Sequence, residues 1–446
     1  MRRLLTVAFV IALTGVLTLA ASVMLSRRFA QPPQAAPVTA AGIDRTPSGS
    51  LPAVIARLQD HLRDQPRDAA GWATLGLAYV ERARLSADPS YYPKAESVLG
   101  RSLKLQPRDN EAALTGRAAL AAARHDFAGA LRLADQALAV NAYAARPLAV
   151  RVDALVELGR LDDAYDAVRR ADRLRPGIPI FTRYAYVMEL RGNAKEAGRV
   201  LSRAAVTATD PGDVAYVGTQ QGELAWSRGD LGTADRRFRA ALQVDPAYLP
   251  ALDGRAKVRA ARGDVAGAID DRRALVERAP LPGYAAALGE LYESRGQRDK
   301  AREQYAVVAA WSRLARANGV ATDLETALIQ ADHGNPAEAL RAARAEWARR
   351  HTPLIADALA WALHVNGQDE EALAYARPAT GAKYANAQFH YHRGMIEKAL
   401  GRDADARRSL AAALRLNPHF SPLQAPRARA ALEKLSNELA KEKDRS

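Results

Sequence analysis

The sequence predicts an all-α protein: an α-solenoid of stacked helical hairpins, with one apolar transmembrane helix ahead of it at the N-terminus. Three observations predict this. A Gly-x-x-x-x-Ala element recurs at Gly159, Gly192, Gly229, Gly263, Gly296, Gly334, Gly367 and Gly401, with successive glycines 33, 37, 34, 33, 38, 33 and 34 residues apart. Pro107, Pro176, Pro246, Pro280 and Pro418 each fall twelve residues after the alanine of their unit. Finally, Leu4 to Ser26 is a run of 23 residues without a charge.

The charge-free run comes first in the chain. At 1.5 Å per residue it reaches about 34 Å, enough to cross the hydrocarbon of a bilayer. The apolar region of a cleaved secretory signal is usually only about 7 to 15 residues, so length favours an uncleaved signal anchor. Arg2 and Arg3 precede the run and Arg27 and Arg28 follow it. So short a basic N-terminal tail normally stays inside, which places the rest of the chain outside the cytoplasm. Gln31 to Ser50 is rich in Pro, Ala, Gly, Ser and Thr without apolar periodicity, the composition of an extended spacer. The expected segments are therefore an anchor over 1–28, a linker over 29–50, a solenoid over 51–424 and a capping helix with its tail over 425–446.

Within the solenoid each unit reads as a helix, a tight turn and a second helix. The glycine ends the first helix with a positive φ, the alanine lets the second pack closely against it, and the proline stops the second helix. Two earlier units precede Gly159. One has about seven extra residues around Ser86 to Tyr92, placed in its hairpin loop, and the other has His125 where the glycine would stand. That makes about ten units, preceded by a lone helix over Leu51 to Gln65. Apolar residues are 48% of the chain and aromatics 6%, so the core is expected to consist mainly of Ala, Leu and Val.

The segment Trp72-Ala-Thr-Leu75-Gly76-Leu-Ala-Tyr79 matches the W-x-x-L-G-x-x-Y pattern, and Leu288, Gly289, Tyr292, Ala301 and Tyr305 repeat it in register. On these residues the chain resembles the tetratricopeptide-repeat family from about Leu51 to Phe420. The blocks Ala356–Leu363, Phe389–Ile396 and Ala413–Phe420 resemble a group of bacterial members. The resemblance implies a right-handed superhelix of helix pairs acting as a protein-binding scaffold without a cofactor. It also implies that positions 2, 5, 9, 12 and 13 of each unit line a concave groove. In this sequence those positions select Tyr186, Glu189, Tyr216, Glu223, Trp226, Lys257, Glu290, Glu293, Trp361, His364, Tyr391 and Lys398 as candidate partner-binding residues. Trp226 and Trp361 are the expected anchors for an extended polypeptide, and Trp72, at position 4, is expected inside its hairpin.

Other chemistry finds little support in the residues. The chain has no cysteine, which excludes disulfides, thiolate metal sites, a cysteine nucleophile and a lipid-modified cysteine anchor. His390 and His392 are separated by one residue, which on a helix points them about 200° apart, whereas zinc motifs use i and i+4. Asp369, Glu370 and Glu371 open a second helix, where acids offset the helix dipole. The formal charge of +14 comes from 54 Arg and 10 Lys against 50 acids, dispersed along the chain. Such dispersion fits biased codon usage as well as attraction to anionic partners. The enzyme alternative is an α/α-barrel glycosidase acting on glycans through two carboxylates. A cytoplasmic regulator that binds nucleic acid is the second alternative. The expected partners are a protein or peptide and, through the N-terminal helix, the membrane, with no nucleic acid and no small-molecule substrate.

Overall fold

Short Gly-Asp junctions set the hairpins. At Asp230 and Asp264 the carboxylate caps a second helix by accepting from the backbone N–H groups of Thr233 and Gly267, directly after a glycine that has ended the first helix. This satisfies amide groups that a helix start otherwise leaves unpaired. Asp126 caps its helix in the same way through Gly129, after His125 in left-handed backbone.

The computed structural model describes residues 50–443, all within one compact unit, Ala40–Ser446. The expected anchor and nearly all of the spacer lie outside the described residues. Helix α1 (Leu51–Asp64) lays Leu51, Val54, Ile55, Leu58 and Leu62 against the first hairpin. Ten hairpins follow. The first five are α2 (Ala69–Ser86) with α3 (Tyr91–Leu105), α4 (Glu111–Ala123) with α5 (Phe127–Val140), α6 (Ala145–Glu157) with α7 (Leu161–Leu174), α8 (Ile178–Leu190) with α9 (Ala194–Thr207), and α10 (Pro211–Ser227) with α11 (Leu231–Val244). The next five are α12 (Leu249–Ala261) with α13 (Val265–Arg278), α14 (Pro282–Ser294) with α15 (Arg298–Ala317), α16 (Asp323–His333) with α17 (Pro336–Arg349), α18 (Pro353–Val365) with α19 (Asp369–Gly381), and α20 (Ala387–Ala399) with α21 (Asp403–Leu416). Helix α22 (Gln424–Lys443) closes the array, with Ala428, Ala431 and Leu435 over Leu410 and Ala413. Among the described residues there is no strand, and no helix is long and apolar enough to cross a membrane.

Packing depends on missing side chains. Phe238 of α11 is fully buried, and a Cβ at either Gly222 of α10 or Gly254 of α12 would collide with its ring. Leu99 of α3 sits likewise between Gly76 of α2 and Gly116 of α4. One large residue on a second helix therefore plugs the gap between two successive first helices, in an interior built mainly from alanine, leucine and valine.

Two details differ from the sequence reading. The extra residues near Ser86 do not form a long loop, because α2 continues to Ser86 and only Ala87 to Ser90 turn the chain. Glu81-Arg82-Ala83-Arg84-Leu85 are good helix formers, and extending the helix keeps their backbone groups bonded. Seven of the eight recurring glycines have positive φ, but Gly334 has φ −141. There the side chain of Gln330 replaces the backbone turn, its Oε1 accepting from the Asn335 N–H at 2.7 Å.

The array also meets itself. The Arg124 carbonyl accepts from the Ala321 N–H at 3.1 Å, and His125 Nδ1 donates to the Ala321 carbonyl at 2.7 Å across a separation of 196 residues. Arg350 reaches Glu157, 193 residues away. Asn417 Nδ2 donates to the Trp226 carbonyl at 2.8 Å, and Trp311 Nε1 to the Ala87 carbonyl at 3.0 Å. A Cβ at Gly192 would lie 2.6 Å from the Lys383 carbonyl, and one at Gly229 would lie 2.9 Å from that of Leu416. The hairpin turns of hairpins one to five thus rest on later segments, most of them loops between hairpins, along a regular seam.

Candidate partner-binding face

The first helices carry a ladder of polar side chains that link one hairpin to the next. Tyr216 of α10 donates its hydroxyl to Thr182 Oγ1 of α8 at 3.2 Å, and Ser227 donates to Glu189 Oε1 at 2.8 Å. Lys257 of α12 bonds both Glu223 oxygens at 3.0 Å and lies 3.0 Å from Asp253, which also holds Arg272. Burial opposes the charge on Lys257, but Asp253 and Glu223 outweigh it and raise its pKa. Burial raises the Glu189 pKa, with the Glu223 charge adding to the rise and the Ser227 hydrogen bond opposing it.

A second group lies on hairpins three and four. Arg183 of α8 grips Asp153 of α6 through two bonds of 2.8 Å, a planar fork on a carboxylate. Burial and the neighbouring Arg183 charge push the Arg146 guanidinium down to about 10. Tyr186, 46% exposed, presents its ring on the same helix, and burial drives its hydroxyl pKa well up. On the far side of the face Arg84 of α2, paired with Glu81, lies within electrostatic reach of Tyr216, Tyr248 and Tyr284. Burial pushes the Tyr284 hydroxyl up to about 12. The first hairpin thus shares this face with hairpins five to seven.

Glu290 and Glu293 of α14 belong to a third group. His333 Nδ1 is 3.1 Å from Glu293 and its Nε2 is 3.9 Å from Glu290, while Tyr305 stacks on the imidazole at 4.2 Å and donates its hydroxyl to Glu293 at 3.0 Å. Burial opposes protonation of His333, yet Glu290, Asp332 and Glu293 together raise its pKa. Among the described residues no cluster of His, Cys, Asp or Glu is placed to hold a metal ion.

Two candidates sit elsewhere than their positions imply. Trp361 is only 6% exposed, with its Nε1 donating to Asp332 at 2.9 Å and its ring stacked on buried His392 at 4.2 Å. His392 in turn bonds buried Asp357 at 2.9 Å. Tyr391 is buried beside them, and its hydroxyl pKa rises to about 12 through burial. The physical reason is α22, whose apolar face packs on both rings and covers what would be open groove farther up the array. Trp72, expected inside, is half-buried: its Nε1 donates to the Pro66 carbonyl at 3.1 Å and Arg101 lies over its ring. Trp226 is half-buried against Phe238 and Val258. His364 pairs with Asp369, and Lys398 is half-buried near the end of α20.

Arg84, Asp153, Arg183, Tyr248, Tyr284, Asp332 and His333 join this face without having been picked from the sequence. The signal that could have found the charged ones is opposite charge about one unit apart, as in Asp153 with Arg183. His333 lies at the end of the 38-residue step from Gly296 to Gly334, where a fixed register slips.

With this geometry established, comparison with known proteins gives three kinds of result. No family model matches the chain. Human tetratricopeptide repeat protein 36 is 38% identical over 90 residues, 19% of this chain, and the chain spans about half, 48%, of that relative's length. Among solved structures, the Cut9–Hcn1 APC/C hetero-tetramer has 13% identity and a TM-score of 0.44 over 88% of this chain and 84% of its own. A thermophilic TPR protein of Thermus thermophilus has 23% identity and a TM-score of 0.37 over 42% of this chain and 98% of its own. A human IFIT1 dimer with m7Gppp-AAAA has 14% identity and a TM-score of 0.46 over 82% and 86%. The chain is thus similar to tetratricopeptide-repeat proteins in its repeat unit, and its described part is an all-helical array of such hairpins.

Proposed function

We propose that this chain is a membrane-tethered scaffold that binds an extended polypeptide along its first-helix face and catalyses no reaction. The observation that carries the reading is the face itself. Tyr186, Tyr216, Tyr248 and Tyr284 place phenol groups among Arg84, Arg183 and Lys257, whose charges are held in place by Glu81, Asp153 and Glu223, while the Tyr216 hydroxyl is fixed by Thr182. Rigid aromatic side chains with a polar tip, interleaved with fixed hydrogen-bonding groups, suit a peptide backbone and its side chains. The Leu4 to Ser26 run supplies the tether, and its basic N-terminal flank supports an extracytoplasmic array that serves envelope assembly or the handling of exported proteins.

Photo-crosslinking tests the face. A crosslinker placed at Tyr186 or Trp226 in the full-length chain, in its native membranes, is expected to capture polypeptide. Capture with equal yield from an exposed position of a second helix, such as Arg199, would refute the groove. Membrane fractions washed with alkaline carbonate test the tether: release of the full chain into the supernatant would refute it.

A further inference from the structure

The seam inside the array has two complementary sides, and each is also present where nothing meets it. One side is the left-handed hairpin turn. Gly159, Gly192 and Gly229, with φ of 76, 77 and 74, are met by backbone carbonyls of later loops. Gly263, Gly296, Gly367 and Gly401 have the same backbone, with φ of 89, 71, 73 and 66, and a Cβ on any of them would meet no atom within 4 Å. The docking geometry is repeated on the later hairpins, unused.

The other side is the loop between hairpins. Leu416-Asn417-Pro418-His419 is a docked example: Asn417 is 2% exposed, its Oδ1 accepts from the His419 N–H at 2.9 Å, and its Nδ2 donates to the Trp226 carbonyl at 2.8 Å. Val140-Asn141-Ala142-Tyr143 has the same construction on an early hairpin, with Asn141 Oδ1 accepting from the Tyr143 N–H at 3.1 Å. Here Asn141 is exposed and Tyr143 is 63% exposed. Leu105 and Val244 are exposed apolar residues that end α3 and α11 as Val140 ends α5, and exposed Val206 is one residue from the end of α9.

We propose that a second copy of this chain occupies this surface. The early loops of one copy, led by Val140, Asn141 and Tyr143, dock on the late hairpin turns of another, led by Gly367 and Gly401. The intermolecular contact repeats the intramolecular seam: the loop asparagine bonds a first-helix carbonyl, and a glycine with positive φ lets the backbones approach. The two surfaces differ, so the association is head-to-tail. Such an interface leaves one side free at each end of a pair, so further copies add as concentration rises.

Light scattering on the full-length chain in detergent micelles tests this, using variants on opposite sides of the contact. Val140→Asp with Tyr143→Asp alters only exposed residues at the end of α5 and in the loop after it, and Gly367→Asp with Gly401→Asp uses a residue that tolerates left-handed backbone. The wild type is expected to gain mass steadily with concentration, and each double variant to weaken association at least about tenfold. An equimolar mixture of the two variants is expected to form one-to-one pairs and nothing larger, because each retains one intact side. Unchanged helical circular dichroism checks that both variants fold. A wild type that stays monomeric at every concentration would overturn the proposal. So would a symmetric dimer that either variant abolishes and the mixture does not restore.

Discussion

Asn417 donates its side-chain amide to the Trp226 carbonyl across 2.8 Å, although the two are 191 positions apart in sequence. The bond joins the loop after the tenth hairpin to the end of the fifth hairpin's first helix. A solenoid whose repeats touch only their neighbours has stability close to a sum of local terms. Here the seam adds couplings across more than five units.

The glycines on and off the seam provide a matched comparison. Gly159→Ala and Gly296→Ala each impose left-handed backbone on alanine, at about 1 to 2 kcal/mol. Gly159 additionally faces the His351 carbonyl, whereas Gly296 has open space. Urea denaturation is expected to show the larger loss for Gly159→Ala. Asn417→Ala removes the side-chain bond to the Trp226 carbonyl, which keeps its bond from the Gly229 N–H, and is expected to cost about 0.5 to 1.5 kcal/mol. Equal losses at the two glycines, with none at Asn417, would show that the seam contributes nothing.

Truncation reads the same coupling at a distance. Removing the chain from Ala387 onward deletes the tenth hairpin, α22 and the loop that docks on Trp226 and Gly229. Amide hydrogen exchange is expected to accelerate at the C-terminal end of α10, far from the cut in sequence, as well as in α18 and α19. Protection in α10 identical to that of the full chain would restore the purely nearest-neighbour description.

The tryptophans separate core from face. Trp361→Ala removes a stacked, hydrogen-bonded, buried ring, and a melting experiment is expected to show a loss of about 3 to 5 kcal/mol. Tyr186→Ala, at an exposed ring, is expected to leave melting nearly unchanged and to weaken polypeptide binding by about 2 kcal/mol if the ring is a hot spot. Binding that responds to Trp361→Ala without any change in melting would reverse this assignment.

His333 gives the array a pH dependence of fixed sign. Its folded pKa is raised by Glu290, Asp332 and Glu293 against the opposing effect of burial, while an unfolded histidine titrates near about 6.5. The stabilisation is therefore fully present below about pH 6.5 and is lost as pH rises through the higher folded value. His333→Gln is expected to abolish that part of the decline. A stability difference between wild type and His333→Gln that stays constant from acid to mildly alkaline pH would contradict the contribution.

Much of the fold was legible because its signals are local. The glycine that ends a first helix, the aspartate or asparagine that caps the next and the alanine that admits it lie within a few residues of one another, as in Gly229, Asp230 and Ala234. His125 was readable as a substitute glycine and does adopt positive φ. The face was less legible. A fixed register found Tyr186, Glu223 and Lys257, but it also selected Trp361 and Tyr391, because position in a unit says nothing about which later helix covers it. It passed over Arg183 and His333, whose places depend on side-chain reach and on a unit of irregular length.

By itself the sequence determined the hairpin, its period of about 34 residues, the alanine-rich interior and a terminal helix to close the array, since capping, left-handed glycine and helical periodicity act over one or two turns of chain. Only the tertiary structure decided that hairpins one to five touch segments near 200 residues further on, that Gly159 is pressed by a carbonyl while Gly296 stands open, and that Trp361 lies in the core. The physical reason is accumulation: a small rotation at each hairpin junction carries no sequence signature of its own, yet summed over five or six units it fixes which distant loops meet.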